Sequence, residues 1–378
     1  MKFSADKNTL YEAVSSASKA CALKSALNIL DGVLLDLDGD TLTVTGYDLE
    51  IGIKVSMEVA GKQDGKVVTD PRLFSEMVKK MPGDTVDFIL VDDKNIKITS
   101  GKSKLSIPCK SGDEFPGLIE LKKDTSFEIS EKLLKEMFMR VGFAVSRTNQ
   151  EFEAIRMEIE NNLFYTVATD GNRLAAKHCA IENEDVSFTI PEKAVSSLVK
   201  SLSDEAPNDD TLPPKTVNVF VDRNQICISK ENYVLISRLL EGKFVNYKRI
   251  IEADFPRVLT VNVKELALSM ERCLLLQSDK LRIPVTCSVG NGFMNITCKT
   301  TLGAIDEEIP ATIKDGDFLD YSINFNPRFM LEALQKTNCD EVKISFDGSL
   351  KPFKITPLEN NDQDNGGFIF VIVPIRSS

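Results

Sequence analysis

"VVTDPRLFSEMVKKMPG", residues 67–83, is a short apolar strand followed by Asp70, Pro71 and an amphipathic helix. Aspartate before proline reads as a helix start. The carboxylate caps exposed N–H groups, and proline sits at the first helical position, where its missing N–H costs nothing. "INFNPRFMLEALQK" (323–336) repeats the device with Asn326 and Pro327, and "FTIPEKAVSSLVKSL" (188–202) keeps the proline as Pro191. After each helix come alternating residues such as "VDFILV", "VNVFV" and "EVKISF", the pattern of half-buried strands.

A second pattern interleaves with this one. "MKFSADKNTLYEAVSSASKA" (1–20), "TSFEISEKLLKEMFMRVGFAVS" (125–146) and "LTVNVKELALSMERCLLLQS" (259–278) each read as strand, cap and amphipathic helix. Leu10, Ala13, Val14 and Ala17 recur on one helical face. Leu134, Met137, Phe138 and Val141 do so behind Ser130, and Leu266, Met270, Cys273 and Leu274 behind Asn262. Six strand–helix–strands units therefore divide the 378 residues, two units to a domain. The predicted fold class is α+β in three similar domains, 1–122, 123–253 and 254–378. The polar stretch "SDEAPNDDTLPPKT" (203–216) reads as a loop inside the second of them.

Composition narrows the chemistry. The chain is 42% hydrophobic and 27% charged, ordinary for a globular protein. Its longest apolar runs, such as "FIFVIVPI", fall well short of a membrane span, and "MKFSADKNTL" lacks an apolar signal core, so the expected compartment is the cytoplasm with no membrane partner. None of the eight cysteines forms a C-x-x-C pair, and His178 is the only histidine, which disfavours zinc sites and histidine triads. "TVATDGNRLA" (166–175) sets Asp170 beside Arg173 as an acid/base or phosphate site would, but no Gly-rich phosphate loop accompanies it. Asp170–Gly171 reads instead as a turn between strands, with "TGYDLEIG" at the same place in the first domain. Neither catalysis nor a cofactor is expected.

The net charge of −11 disfavours a polyanion partner when taken as a whole. Its distribution reverses the inference. The six predicted helices carry fourteen basic and eight acidic residues, a net +6 that leaves −17 for the remainder. The helices are thus the basic part of an acidic chain.

These features, with "TGYDLEIGI" (45–53), "TVATDGNRLA", "LLEGKFVNYKRII" (239–251) and "FVIVPIRSS" (370–378), resemble the bacterial DNA polymerase sliding clamp along the whole chain. That family is the beta subunit of the replicative polymerase III holoenzyme. The resemblance implies a head-to-tail homodimer forming a ring, with helices lining a central pore and sheets outside. Double-stranded DNA passes through without sequence preference, and the ring tethers the polymerase III catalytic subunit. The clamp-loader complex and other polymerases and repair proteins with clamp-binding motifs are the further partners it implies. Basic side chains that touch only phosphates suit a ring that must slide.

Residue by residue, the resemblance carries DNA contact to Lys24, Arg72, Lys193 and Lys200, although Glu192 stands where a base is expected. It carries a partner-peptide pocket to Phe152, Thr169, Gly171, Asn172, Arg173 and Leu174, and to Val245, Arg249 and Ile250. The same pocket takes Leu281, Asn326, Phe329, Leu350 and Pro352, then Val371, Ile372, Val373, Pro374, Ile375 and Arg376. The expected lining is mostly aliphatic, with Arg173, Arg249 and Arg376 available to the peptide. Three residues depart from the family pattern: Asn172 replaces a histidine, Val245 a proline and Leu281 an aromatic. The dimer interface would bring Leu105 and Ile107, on an edge strand, against Leu275 and Leu276.

Overall fold

A computed structural model describes residues 1–22, 25–118, 125–149, 152–204, 214–277, 283–358 and 366–376. Seven α-helices lie among them: α1 (Lys7–Ala17), α2 (Pro71–Lys79), α3 (Glu131–Val141), α4 (Glu192–Val199), α5 (Lys248–Ile251), α6 (Val263–Leu275) and α7 (Pro327–Leu334). None is long and apolar enough to cross a membrane.

At α1, α2, α6 and α7 the caps act as the sequence predicts, whereas Pro191, read as a helix start, is the last residue of the strand Val186–Pro191, and α4 begins at Glu192. Asp70 accepts from the Leu73 N–H at 2.7 Å and Asn326 from the Arg328 N–H at 2.9 Å, each just ahead of a proline. Asn262 accepts from Glu265 at 3.0 Å, and Asp6 starts α1 by accepting from Thr9 at 2.8 Å. The predicted helical stripes are buried, with one exception. In α6, Leu266, Met270 and Cys273 face the core, but Leu274 lines a cavity described below. Spacing assigns a residue to a stripe; only packing decides where the stripe ends.

The chain forms two compact units. The first comprises Met1–Lys132 and Lys193–Leu240, the second Leu133–Glu192 and Glu241–Ser378. The first is built on a 13-stranded antiparallel sheet. It runs from Thr125–Ser130 through Thr216–Val221, Gln225–Lys230 and Tyr233–Arg238 to Ile51–Glu58. It continues through Thr41–Tyr47, Val33–Asp38, Gly65–Thr69, Ser103–Ser111, Asn95–Ser100, Thr85–Val91 and Lys2–Asp6 to Ala60–Gln63. Phe88 stacks on Phe3 at 4.6 Å and meets Phe74 of α2 at 6.3 Å, fastening that helix to the sheet.

The second unit is built on a 12-stranded antiparallel sheet. Its order is Val186–Pro191, Ala154–Glu160, Leu163–Thr169, Arg173–Ala180, Phe368–Ile372, Phe353–Pro357, Glu341–Phe346, Arg257–Asn262, Gly303–Asp315, Phe293–Thr300, Val285–Val289 and Ser322–Phe325. Repeats and compact units thus group the strands differently. Strands that end one repeat have open backbone edges, and these are satisfied by strands from another repeat: Leu235 opposite Ile53 in the first unit, Leu174 opposite Val371 in the second.

An ion network ties α3 into the second unit. Arg140, 6% exposed, gives Nη1 to the carbonyls of Lys336 and Thr337 and Nη2 to Glu136 at 3.3 Å. Glu136 also lies 3.5 Å from the buried Lys177 ammonium, which donates to the Gly366 carbonyl at 3.0 Å. Removing one partner of such a network leaves the others buried and uncompensated. Arg140→Met is expected to destabilise the second unit by about 3 kcal/mol. Its urea midpoint should fall accordingly, with the unfolding slope unchanged.

Candidate functional site: a turn, a terminal strap and a polar cavity

The turn after Leu163–Thr169 is built by Asp170. Its Oδ1 accepts from the N–H groups of Asn172 at 2.9 Å and Arg173 at 3.0 Å. Gly171 has φ 87°, a left-handed conformation that glycine adopts without strain. The Thr169 hydroxyl completes the turn, donating to the Arg173 carbonyl at 2.7 Å and accepting from the Gly171 N–H at 3.1 Å. The Phe152 ring lies 3.8 Å from where a Cβ on Gly171 would stand. In the first unit, Asp48 makes the same turn, accepting from Ile51 at 2.7 Å and Glu50 at 3.0 Å, with Leu49 at φ 75°. Asp170 is therefore a backbone-shaping residue.

Arg173 is fully engaged on one side. Its Nε donates to Asp170 Oδ2 at 3.0 Å and its Nη1 pairs with Glu332 of α7. The guanidinium carbon lies 4.6 Å from the Phe329 ring and 5.3 Å from that of Phe143. Cation–π contact on two rings and two carboxylates hold this side chain in place. Beside it opens a cavity of about 620 Å³. Four predicted pocket residues, Asn172, Arg173, Asn326 and Phe329, line it. So do Phe143, Ser146, Arg147, Thr148, Leu274, Gln277, Arg328 and Glu332, which the sequence reading missed. The lining is polar where an aliphatic one was expected. Arg328 was findable: it directly follows the Asn326–Pro327 cap and lies one turn before Glu332.

Three more predicted residues meet in an apolar cluster. Leu174 and Val371 are buried with Tyr247, and Ile250 packs on them with Phe244. Lys248 anchors this segment, pairing with Glu158 at 2.5 Å and with Glu160. Burial pushes the Tyr247 hydroxyl well above the usual tyrosine range. Val245, Arg249 and Leu350 are exposed and Pro352 is half-buried just before Phe353, which pairs with Ile372. The terminal strap is held by its backbone: Val373 donates to the Asn172 carbonyl at 2.8 Å and Ile375 to that of Asn324 at 2.7 Å. Pro374 lies between them. Ile375 and Arg376 line a different cavity of about 660 Å³, with Asn324 and Asp306. Leu281 lies outside the described residues.

Of the predicted phosphate contacts, Lys24 also lies outside the described residues. Arg72 is exposed at the start of α2 with no side-chain partner among the described residues. Lys193 is paired with Asp48. Lys200 is exposed. Burial and the Lys200 charge together lower the Lys19 ammonium pKa, placing the two lysines in one field. Leu105 is half-buried and Ile107 buried on Ser103–Ser111, while Leu275 is 80% exposed and Leu276 half-buried at the end of α6.

Comparison with known proteins agrees along the full length. Family models described as the N-terminal, central and C-terminal domains of the DNA polymerase III beta subunit match residues 1–119, 128–246 and 248–368. The chain is 29% identical to the beta sliding clamp of Streptococcus pneumoniae serotype 4, covering 100% of this chain and 99% of that one. The DNA polymerase sliding clamp of Bacillus subtilis superposes with a TM-score of 0.90 at 27% identity, covering 100% of both chains. The DNA polymerase III beta subunit of Thermotoga maritima superposes at 0.89, also 27% identical over 100% of both.

The strand pairing beneath the turn carries the single histidine. His178 Nε2 accepts from the Gly367 N–H at 3.3 Å, and its ring lies 5.3 Å from Tyr165. Burial, then the neighbouring Lys177 charge, lowers its pKa below the ordinary 6.5. The unfolded chain takes up this proton more readily. The stability contributed is therefore complete above 6.5 and is lost as pH falls through the lower folded-state value. A proton NMR titration, unambiguous with one histidine, should show a midpoint below 6.5. Between neutral pH and that midpoint, His178→Gln should flatten the pH dependence of melting.

Proposed function

The chain belongs to the DNA polymerase III beta subunit family, and on that premise we propose how it performs the work of a clamp. It is a DNA sliding clamp, a non-catalytic processivity subunit. Its three domains, 1–122, 123–253 and 254–378, follow the sequence repeats, and the three family-model matches support those boundaries. Two copies close head to tail into a ring around double-stranded DNA in the cytoplasm. The helices face the duplex, where Lys24, Arg72 and Lys200 meet phosphates without reading bases. Lys193, paired with Asp48, contributes less.

The observation that carries ring closure is a pair of half-open strands of opposite charge. Among the described residues, Ser103–Pro108 pairs only with Asn95–Ser100, while Cys109–Ser111 turn to Val67–Thr69. Among the same residues, Gly303–Pro310 pairs only with Phe293–Thr300, while the rest of its strand joins Val258–Val261. Lys104 stands on the first edge and Lys102 just before it; Asp306 and Glu308 lie on the second, where Glu307 is already paired with Arg272. Leu275 and Leu302, 80% and 67% exposed, belong to the same region of the chain, and Leu276 lies 3.4 Å from a Cβ built on Gly303. An open strand recruits another strand, and complementary charge selects which. A second copy supplies the match, bringing Leu105 toward Leu275 and Leu276.

The groove around Asn172, Phe329 and Val373 then receives short peptides from the polymerase III catalytic subunit, the clamp loader, and other polymerases and repair proteins. Leu174 and Val371, close in the chain to Asn172 and Val373, are buried in one apolar cluster with Ile250 packed against it.

Wild-type protein should sediment as a dimer at micromolar concentration. Once loaded it should stay on nicked circular DNA, and it should leave when the DNA is cut. Lys104→Glu should weaken the dimer at least tenfold, and Asp306→Lys in the same chain should restore it. Arg72→Glu with Lys200→Glu should shorten retention while sedimentation stays dimeric. A monomer with no retention on circular DNA would refute the ring.

A further inference from the structure

Beside the locked Arg173, the cavity holds two guanidiniums without side-chain partners among the described residues, those of Arg147 and Arg328. Arg147 stands on the exposed loop after Ser146, whose hydroxyl accepts from the N–H groups of Thr148 at 3.2 Å and Asn149 at 3.0 Å. Arg328 is exposed at the second position of α7. The two carboxylates in the lining are both committed: Asp170 to the turn and Arg173, Glu332 to Arg173. Three guanidiniums against two carboxylates leave the cavity with one unmatched positive charge at neutral pH.

We propose that Arg147 and Arg328 read a single side-chain carboxylate on the docked peptide, making acidic linear motifs the preferred partners of this clamp. The inference rests on the peptide-groove reading above, because Asn172 and Phe329 line both groove and cavity. A guanidinium binds carboxylate through paired N–H donors, and a partly enclosed site strengthens that contact relative to open solvent. Arg173 cannot do this task, since Asp170 and Glu332 already hold it. A duplex phosphate suits the cavity less well. It belongs to a stiff, broad polyanion that meets protruding side chains, whereas a peptide carboxylate sits on a slender flexible arm. The recess also presents the carboxylates of Asp170 and Glu332, which tolerate one compensated anion better than a row of phosphates.

The test uses full-length protein and fluorescein-labelled apolar hexapeptides, with glutamate placed at each position in turn. Each is paired with its glutamine counterpart, and binding is read by anisotropy at low and high salt. At one position, glutamate should bind about tenfold more tightly than glutamine, and added salt should shrink the gap. The double variant Arg147→Gln, Arg328→Gln should bind the two equally, at the wild-type affinity for the glutamine peptide, with an unchanged melting temperature. Equal binding of every pair to wild type would overturn the carboxylate proposal and leave the groove intact. A glutamate preference that persists in the double variant would do the same. Failure of any peptide to bind would overturn both readings. Unchanged peptide preference with shortened retention on circular DNA would reassign the two arginines to nucleic acid.

Discussion

The antiparallel pairing of Arg173–Lys177 with Phe368–Ile372 is the constraint on which the second unit depends. It joins segments far apart in the chain, so its loop-closure cost must be met by burial and hydrogen bonds together. Leu174 and Val371 come to lie opposite one another in the apolar cluster, and the ladder satisfies backbone groups that would otherwise form an open edge. From this register the rest follows. Asn172 sits one residue before the first strand and Val373 one residue after the second, and their backbones join at 2.8 Å. The turn, the strap and the cavity wall share this one ladder.

Electrostatics divides the basic residues into two populations. Arg140, Arg173, Lys177, Lys193 and Lys248 are held by carboxylates or carbonyls and serve the fold. Arg72, Arg147, Lys200 and Arg328 stand exposed. The second population is open to anions from solvent, and the field of such a surface cation decays over about one Debye length, roughly 8 Å at physiological salt. That short reach explains how a chain of net charge −11 works on DNA. Distant acidic residues are screened, and the local arrangement decides. The same principle separates the lysine-bearing edge at residues 102–104 from the acidic edge at 306–308.

The helix caps, the buried helical stripes and the Asp170 turn were legible in the sequence because each rests on contacts within a few residues. Asp70 reaches three residues ahead, as do Asn262 and Asp6. The similarity between "TDGN" and "YDLE" was equally local, and both stretches form the same turn. The regrouping of strands was not legible. Edge pairing links Tyr233–Ser237 to Ile51–Val55 through hydrogen bonds that no periodicity records. Nor was the fate of Arg173, whose second partner lies on α7. Ile375 and Arg376 belong in sequence to the strap, yet line a separate cavity because Ile375 bonds to Asn324.

By itself the sequence determined what short-range chemistry determines: six helix starts, alternating strands, a turn at Asp170, and the concentration of positive charge on helices. Tertiary structure alone decided which strands share a sheet, which arginines are consumed by the fold, and which stand exposed around a polar cavity. The physical reason is reach. Capping and periodicity act within one or two turns of chain, whereas ion pairing and edge pairing join whatever surfaces the folded backbone brings within a few ångströms.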